Sequence, residues 1–349
     1  MVVGALALAL SACGSSNNNA TTLLKQTFSG PHTVNSGNLN FSVTLNPSGS
    51  TTLTGPISLS FGGPFQSLGK GKLPASNFNI SLSAGGKTGS LAILSTGSSG
   101  YVTLTGSSYQ LPQATFQKLE SSFATVSGPS GGGSSALSKL GIDPLKWLSN
   151  PIVVGNESVA GTQTTHIRAN VNVSALLADL NTFLRKASSL GSSTTARIPS
   201  TIPDATRSRI ASEVRNPSFD VWTGTSDKTV RKLAISLTIP VSGQVSTLLG
   251  GLRTAQIAIS MVYANLNQPQ TIQAPASTQP FSQFATKLRS FLATVEGSVV
   301  PGAASGTTGS STTGSAGTPA NVQSYSQCIK AAGQNISKMQ QCAALINGK

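Results

Sequence analysis

Apolar and polar residues alternate strictly from residue 38 to 45. Leu39, Phe41, Val43 and Leu45 sit between Asn38, Asn40, Ser42 and Thr44. A period of two gives a strand one buried face and one wet face. The alternation returns at Leu233, Ile235, Leu237 and Ile239, and again at Ile257, Ile259, Met261 and Tyr263. Such a chain is constrained towards an antiparallel sheet with one apolar side. Residues 38–110 read as a β-meander, with further strands expected at 58–61, 77–83, 90–95 and 101–105. Gly62-Gly63, Gly85-Gly86 and the stretch from Gly97 to Gly100 break it into hairpins. Later strands are expected at 152–159, 163–173 (turn at Gly161), 218–224, 230–240 and 255–266.

Helical spacing separates these runs. Residues 112–124 carry Phe116, Leu119 and Phe123 after Pro112, a residue tolerated in a first turn. A loop at 127–135 follows. Residues 136–148 suggest two short helical turns around Asp143-Pro144, with Trp147 as an apolar plug. The clearest helix is 174–188, with Ser174 as its cap. Leu176, Leu177, Leu180, Phe183 and Leu184 form its stripe. Arg185 and Lys186 suit its C-terminal end. A shorter helix is expected at 203–215, and a last one at about 280–295 bearing Phe281, Phe284, Leu288, Phe291, Leu292 and Val295.

The N-terminus sets the compartment. Residues 2–10 are almost wholly apolar and too short to span a bilayer, which takes about 20 residues. They fit the core of a signal peptide. No Lys or Arg precedes them, so a start further upstream is expected. The ending Leu10-Ser11-Ala12-Cys13 resembles a bacterial lipobox. That resemblance implies cleavage before Cys13 and a diacylglycerol on its thiol, holding the chain to the outer face of the cell membrane. Residues 13–22, beginning Gly14-Ser15-Ser16-Asn17-Asn18-Asn19, read as a flexible tether.

Only 9% of the residues are charged, with 23 Lys and Arg against 9 Asp and Glu. The net charge of +14 is thinly spread and not interleaved with aromatics, which argues against a nucleic-acid partner. A diffuse positive surface suits an anionic envelope, and it equally suits plain solubility. Residues 301–320 are Gly, Ser, Thr, Ala and Pro, a flexible linker. Beyond it, residues 321–349 form a short tail with Cys328 and Cys342. Exported thiols of this kind pair in a disulfide. In one continuous helix their Cα atoms would lie about 21 Å apart, so a bridge requires a helical hairpin turning near Gly333. Two unpaired thiols on a disordered tail is the alternative. The sequence names no protein partner for this tail.

Three passages carry a wider resemblance. One is the lipobox. The second is Asp143-Pro144-Leu145-Lys146-Trp147-Leu148, then Gly155-Asn156-Glu157-Ser158-Val159-Ala160-Gly161 running on to His166. The third is Asp220-Val221-Trp222-Thr223-Gly224, then Val230-Arg231-Lys232-Leu233. Their order resembles the actinobacterial LppX/LprG-type lipoproteins, and more distantly the LolA/LolB carriers, over residues 23–300. The resemblance implies an α+β fold: a curved antiparallel half-barrel with helices across its concave side. It also implies an apolar cavity holding acyl chains. The candidate cavity residues are Leu39, Phe41, Val43, Leu45, Phe78, Ile80, Leu82, Leu104, Ile167, Leu177, Leu180, Leu184 and Ile235. Each is also an ordinary core position, and such a lining either packs solid or leaves a pocket.

Signals for catalysis are weak. His32 and His166 read as structural or surface residues. No His, Cys, Asp or Glu cluster has metal-ligand spacing, and no cofactor is implied. The carboxylates are scattered, no nucleophile elbow is present, and Gly131-Gly132-Gly133 lacks the Lys of a phosphate loop. The expected function is a membrane-anchored lipid-binding, lipid-transfer protein and not an enzyme. The alternative is an envelope scaffold with a solid half-barrel and a partner-docking tail. A hydrolase is the remote third, which a pocket joining Asp or Glu to His166 would revive.

Overall fold

The computed structural model describes residues 15–30, 32–127, 141–190 and 201–299. The signal segment, Cys13, most of the 127–135 loop, the linker and the Cys328/Cys342 tail lie outside the described residues. The chain divides into two units, Met1–Ala304 and Ser305–Lys349, and the second lies wholly outside them.

Eleven antiparallel strands form one sheet in the order β6-β5-β4-β3-β2-β1-β11-β10-β9-β8-β7. They are β1 (Ser36–Ser48), β2 (Ile57–Gln66), β3 (Ala75–Ala84), β4 (Lys87–Ser95), β5 (Gly100–Leu104), β6 (Ser107–Gln110), β7 (Leu148–Val159), β8 (Thr162–Val171), β9 (Arg215–Gly224), β10 (Val230–Pro240) and β11 (Thr254–Ala264). The chain starts mid-sheet and meanders to one edge. It then crosses to the other edge and meanders back until β11 pairs with β1. The sheet does not close into a barrel. It is the curved half-barrel of an α+β fold.

The helices are α1 (Ser15–Ser29), α2 (Gln113–Ser127), α3 (Pro144–Trp147), α4 (Val173–Leu190), α5 (Asp204–Glu213), α6 (Gly243–Leu248) and α7 (Phe284–Val299). No described helix is long and apolar enough to cross a membrane.

Helix α1 departs from the expected tether, since residues 15–22 are helical. Ala20, Leu23, Leu24, Thr27 and Phe28 recur at helical spacing. Ala20 and Leu24 are buried in a cluster with Ile167, Val171, Leu177, Phe219, Val221 and Ile235. Burial of that stripe outweighs the weak helix preference of the Asn and Thr around it. The Thr27 hydroxyl bonds Thr223 Oγ1 at 2.9 Å inside this core.

Other corrections are local. Ser174 does not cap α4. Asn172 does, its Oδ1 accepting from the Ala175 amide at 3.1 Å. Trp147 is half-buried rather than a purely apolar plug, because its indole N–H donates to Asp179 Oδ2 at 2.9 Å. The same oxygen accepts from the Asp143 amide at 2.6 Å, which ties α3 to α4.

Gly62-Gly63 is not a break, since β2 runs through it. A Cβ at Gly62 would meet the Leu39 carbonyl, and one at Gly63 the Asn77 carbonyl. The glycines let three strands approach closely. Gly63 also has φ +147°. Gly63→Ala is expected to cost about 2 kcal/mol or more by forcing β2 from β3. Urea unfolding of the two proteins checks it, and equal midpoints would refute the crowding argument. Gly85-Gly86, by contrast, is the expected hairpin turn, with both φ values positive.

Candidate functional site: a half-covered apolar face

Strand register lines up one residue from each of ten strands. Val153, Ile167, Val221, Leu233, Met261, Phe41, Phe61, Ile80, Leu91 and Leu104 are successive cross-strand partners from β7 to β5. A second row runs Ala169, Phe219, Ile235, Ile259, Val43, Leu59 and Leu82. Both rows lie on the side that carries α1, because Ile167, Val221, Phe219 and Ile235 pack against Ala20 and Leu24. Neither row contains a charged residue.

Burial is uneven along the rows. At the β7–β10 end Ile167 and Val221 are 0% exposed beneath α1 and α4. At the opposite end Leu104 is buried, near Tyr109 and the α2 residue Phe116. Between them, Leu233, Met261, Phe41, Phe61, Ile80 and Leu91 are only half-buried. Leu59 is 41% and Ile93 38% exposed. The Phe61 and Phe78 rings meet at 4.7 Å. Tyr263, edge-on to Phe65 at 6.4 Å, brings a phenol to this face, and burial pushes its pKa up. It therefore stays a neutral hydroxyl.

The sequence-expected residues thus divide. Leu39, Phe41, Val43, Leu45, Phe78, Ile80 and Leu82 are half-buried together on the open part of the sheet. Leu104, Ile167, Leu177 and Ile235 are buried, the last three inside the packed cluster. Leu184 is half-buried on α4, and Leu180 is 40% exposed there.

The opposite side of the sheet holds a polar cluster that sequence reasoning missed. His166 is 4% exposed and stacks on Trp222 at 4.2 Å. Its Nδ1 lies 2.8 Å from Glu157 Oε1 and its Nε2 2.6 Å from Asp220 Oδ1. Arg168 Nε donates to the same Asp220 oxygen at 2.8 Å, and the Trp222 indole donates to Glu157 Oε2 at 2.8 Å. The Lys232 ammonium sits 4.2 Å from the Trp222 ring centroid. Hydrogen bonds from Trp222 and then His166 hold the Glu157 carboxyl below its usual value.

The carboxylates are therefore not all scattered, and Asp and Glu do meet His166. Yet both imidazole nitrogens are occupied and, among the described residues, no Ser, Thr or Cys is bonded to the ring, so these groups present no activated nucleophile. Among the described residues no three His, Cys, Asp or Glu could share a metal ion. His32 stands apart, its Nε2 2.8 Å from the Gln26 carbonyl. The Glu157–His166 pair was legible in principle. A hairpin turning at Ala160-Gly161 places both on one face, Glu157 opposite Thr164 and His166 diagonally beyond it, opposite Gly155. Asp220 is 54 residues away and was not.

A lowered folded-state pKa stabilises above the unfolded value and is lost as pH falls. Wild-type protein is expected to be more stable than Glu157→Gln at neutral pH. That advantage should shrink as pH drops below about 4.5, the ordinary glutamate value. Urea midpoints of both proteins across this range check it, and a pH-independent difference would contradict the assignment.

Sheet, helices and half-covered apolar side define an α+β half-barrel whose apolar face is partly exposed at its middle. Similar solved structures include LprF from Mycobacterium bovis, at 12% identity and TM-score 0.39, covering 76% of this chain and 100% of that one. The Mycobacterium tuberculosis lipoprotein LppX matches at 11% identity and TM-score 0.31, covering 74% and 100%. A LolA-superfamily protein from Nitrosomonas europaea matches at 10% identity and TM-score 0.17, covering 72% and 94%. No protein-family model matches the sequence, and no curated protein does.

Proposed function

We propose that this chain is an envelope lipoprotein that binds an acyl-chain lipid on the half-covered sheet face and passes it on without chemistry. Cys13 would carry the diacylglyceryl anchor that keeps it on the outer side of the membrane. The observation that supports this is the continuous uncharged row from Leu233 to Leu91, left half-exposed between two packed ends. Apolar burial contributes about 0.8 kcal/mol per methylene, so one long acyl chain laid on this face supplies roughly 10 kcal/mol before ordering costs.

Native mass spectrometry of protein lacking residues 1–13, followed by lipid extraction, tests the reading. Near-stoichiometric acylated lipid is expected. A clean apo mass, unchanged after challenge with phospholipid vesicles, would overturn it in favour of a packed scaffold.

A further inference from the structure

We infer that one particular end of the sheet faces the bilayer: the end bearing the β1–β2, β3–β4 and β10–β11 turns. The inference rests on the proposed anchor at Cys13. Its structural basis is the short distance from that residue to the folded core.

Helix α1 starts at Ser15, two residues after Cys13. Two residues reach at most about 7 Å. The helix is fixed in direction. Thr27 bonds Thr223, and His32 lies 3.5 Å from Thr229, both where β9 turns into β10. From Thr27 back to Ser15 is twelve residues, about 18 Å along the axis. From Thr165, the β8 partner of Thr223, to Val171 is about 20 Å along the strand. Helix α1 packs on β7 and on α3, which leads into the start of β7. Ser15 is therefore level with the far end of the sheet, where β7 begins and β8 finishes. The end bearing the β9–β10 turn is roughly 25 Å away along the strands, beyond the reach of so short a connection.

The surface at the near end fits phospholipid headgroups. Lys87, Arg215 and Arg253 lie there, exposed and in no ion pair among the described residues. Of the acids near it, Asp143 pairs with Lys146 at 3.3 Å and Glu213 with Arg209 at 2.9 Å, while Asp179 accepts from the Asp143 amide and the Trp147 indole. Around them the β1–β2 turn is a run of hydroxyls: Ser50 bonds Thr52 and donates to the Leu249 carbonyl, and Thr51 donates to the Gly250 carbonyl. Three free cations on a polar rim suit contact with an anionic bilayer surface, not insertion into it. Such a pose carries the open apolar face close to the membrane that would supply or receive its lipid.

The test is hydrogen exchange on the full-length acylated chain, bound to vesicles of three parts phosphatidylcholine to one part phosphatidylglycerol. Intact mass first establishes the acyl groups on Cys13. Membrane protection is expected at residues 49–56, 85–87 and 243–253, and not at 67–74 or 225–229. In the soluble Cys13→Ser chain, Lys87→Glu with Arg253→Gln should lower partitioning onto these vesicles about tenfold or more, whereas Lys70→Glu at the opposite end should not. Absence of acyl groups on Cys13 would overturn the anchor and the pose together. Acylated protein protected at 67–74 and 225–229, or evenly, would overturn the pose alone.

Discussion

Phe219→Ala is expected to destabilise the protein by about 3–5 kcal/mol, the largest effect of any single truncation on the sheet. Phe219 is 1% exposed. It lies in the second apolar row between Ala169 and Ile235 and faces the Phe28 ring of α1 at 6.2 Å. Truncation leaves a cavity where α1, β8 and β10 converge, and helix and sheet cannot both move in to fill it. Chemical denaturation reads the loss directly. A cost below about 1 kcal/mol would mean that α1 is not packed on this core. The same variant should loosen α1 before the β1–β5 half of the sheet, visible as faster amide exchange at residues 20–29.

Phe41→Glu is expected to act on ligand and not on folding. Phe41 is half-buried in the middle of the open row, between Met261 and Phe61. A carboxylate there still reaches water, so the fold should survive with a modest loss of stability. An acyl chain laid across it would have to desolvate the charge, at a cost of several kcal/mol. Co-purifying lipid should fall at least tenfold relative to wild type, while circular dichroism stays unchanged. Ile167→Glu is the contrast, because its site is closed by α1 and the charge has no route to solvent. That variant should fail to fold. If Phe41→Glu also unfolds, the middle of the sheet is sealed and the scaffold reading gains. If it folds and retains its lipid, the ligand lies elsewhere.

Asp227 and Arg231 close the β9–β10 turn, Arg231 Nη2 donating to Asp227 Oδ2 at 2.6 Å. Burial pushes the Asp227 carboxyl up, but the Arg231 and Thr229 hydrogen bonds and the guanidinium charge together bring it below its usual value.

Much of the fold was legible by itself in the sequence. Period-two alternation located most strands of both meanders and named the residues of the apolar face, because successive side chains on a strand must take opposite sides. The stripe of Leu176, Leu177, Leu180, Phe183 and Leu184 located α4 for the same kind of reason. Local composition misled twice. The Asn-rich start of α1 concealed a helix held by contacts with β8 and β9, and Gly62-Gly63 marked strand crowding instead of a turn. Only the tertiary structure decided which apolar residues are sealed and which stay open. Ile167 and Phe41 carry the same local signal and stand in the same cross-strand row. One is covered by α1 and the other is not, and that difference depends on where a helix far off in the chain comes to rest.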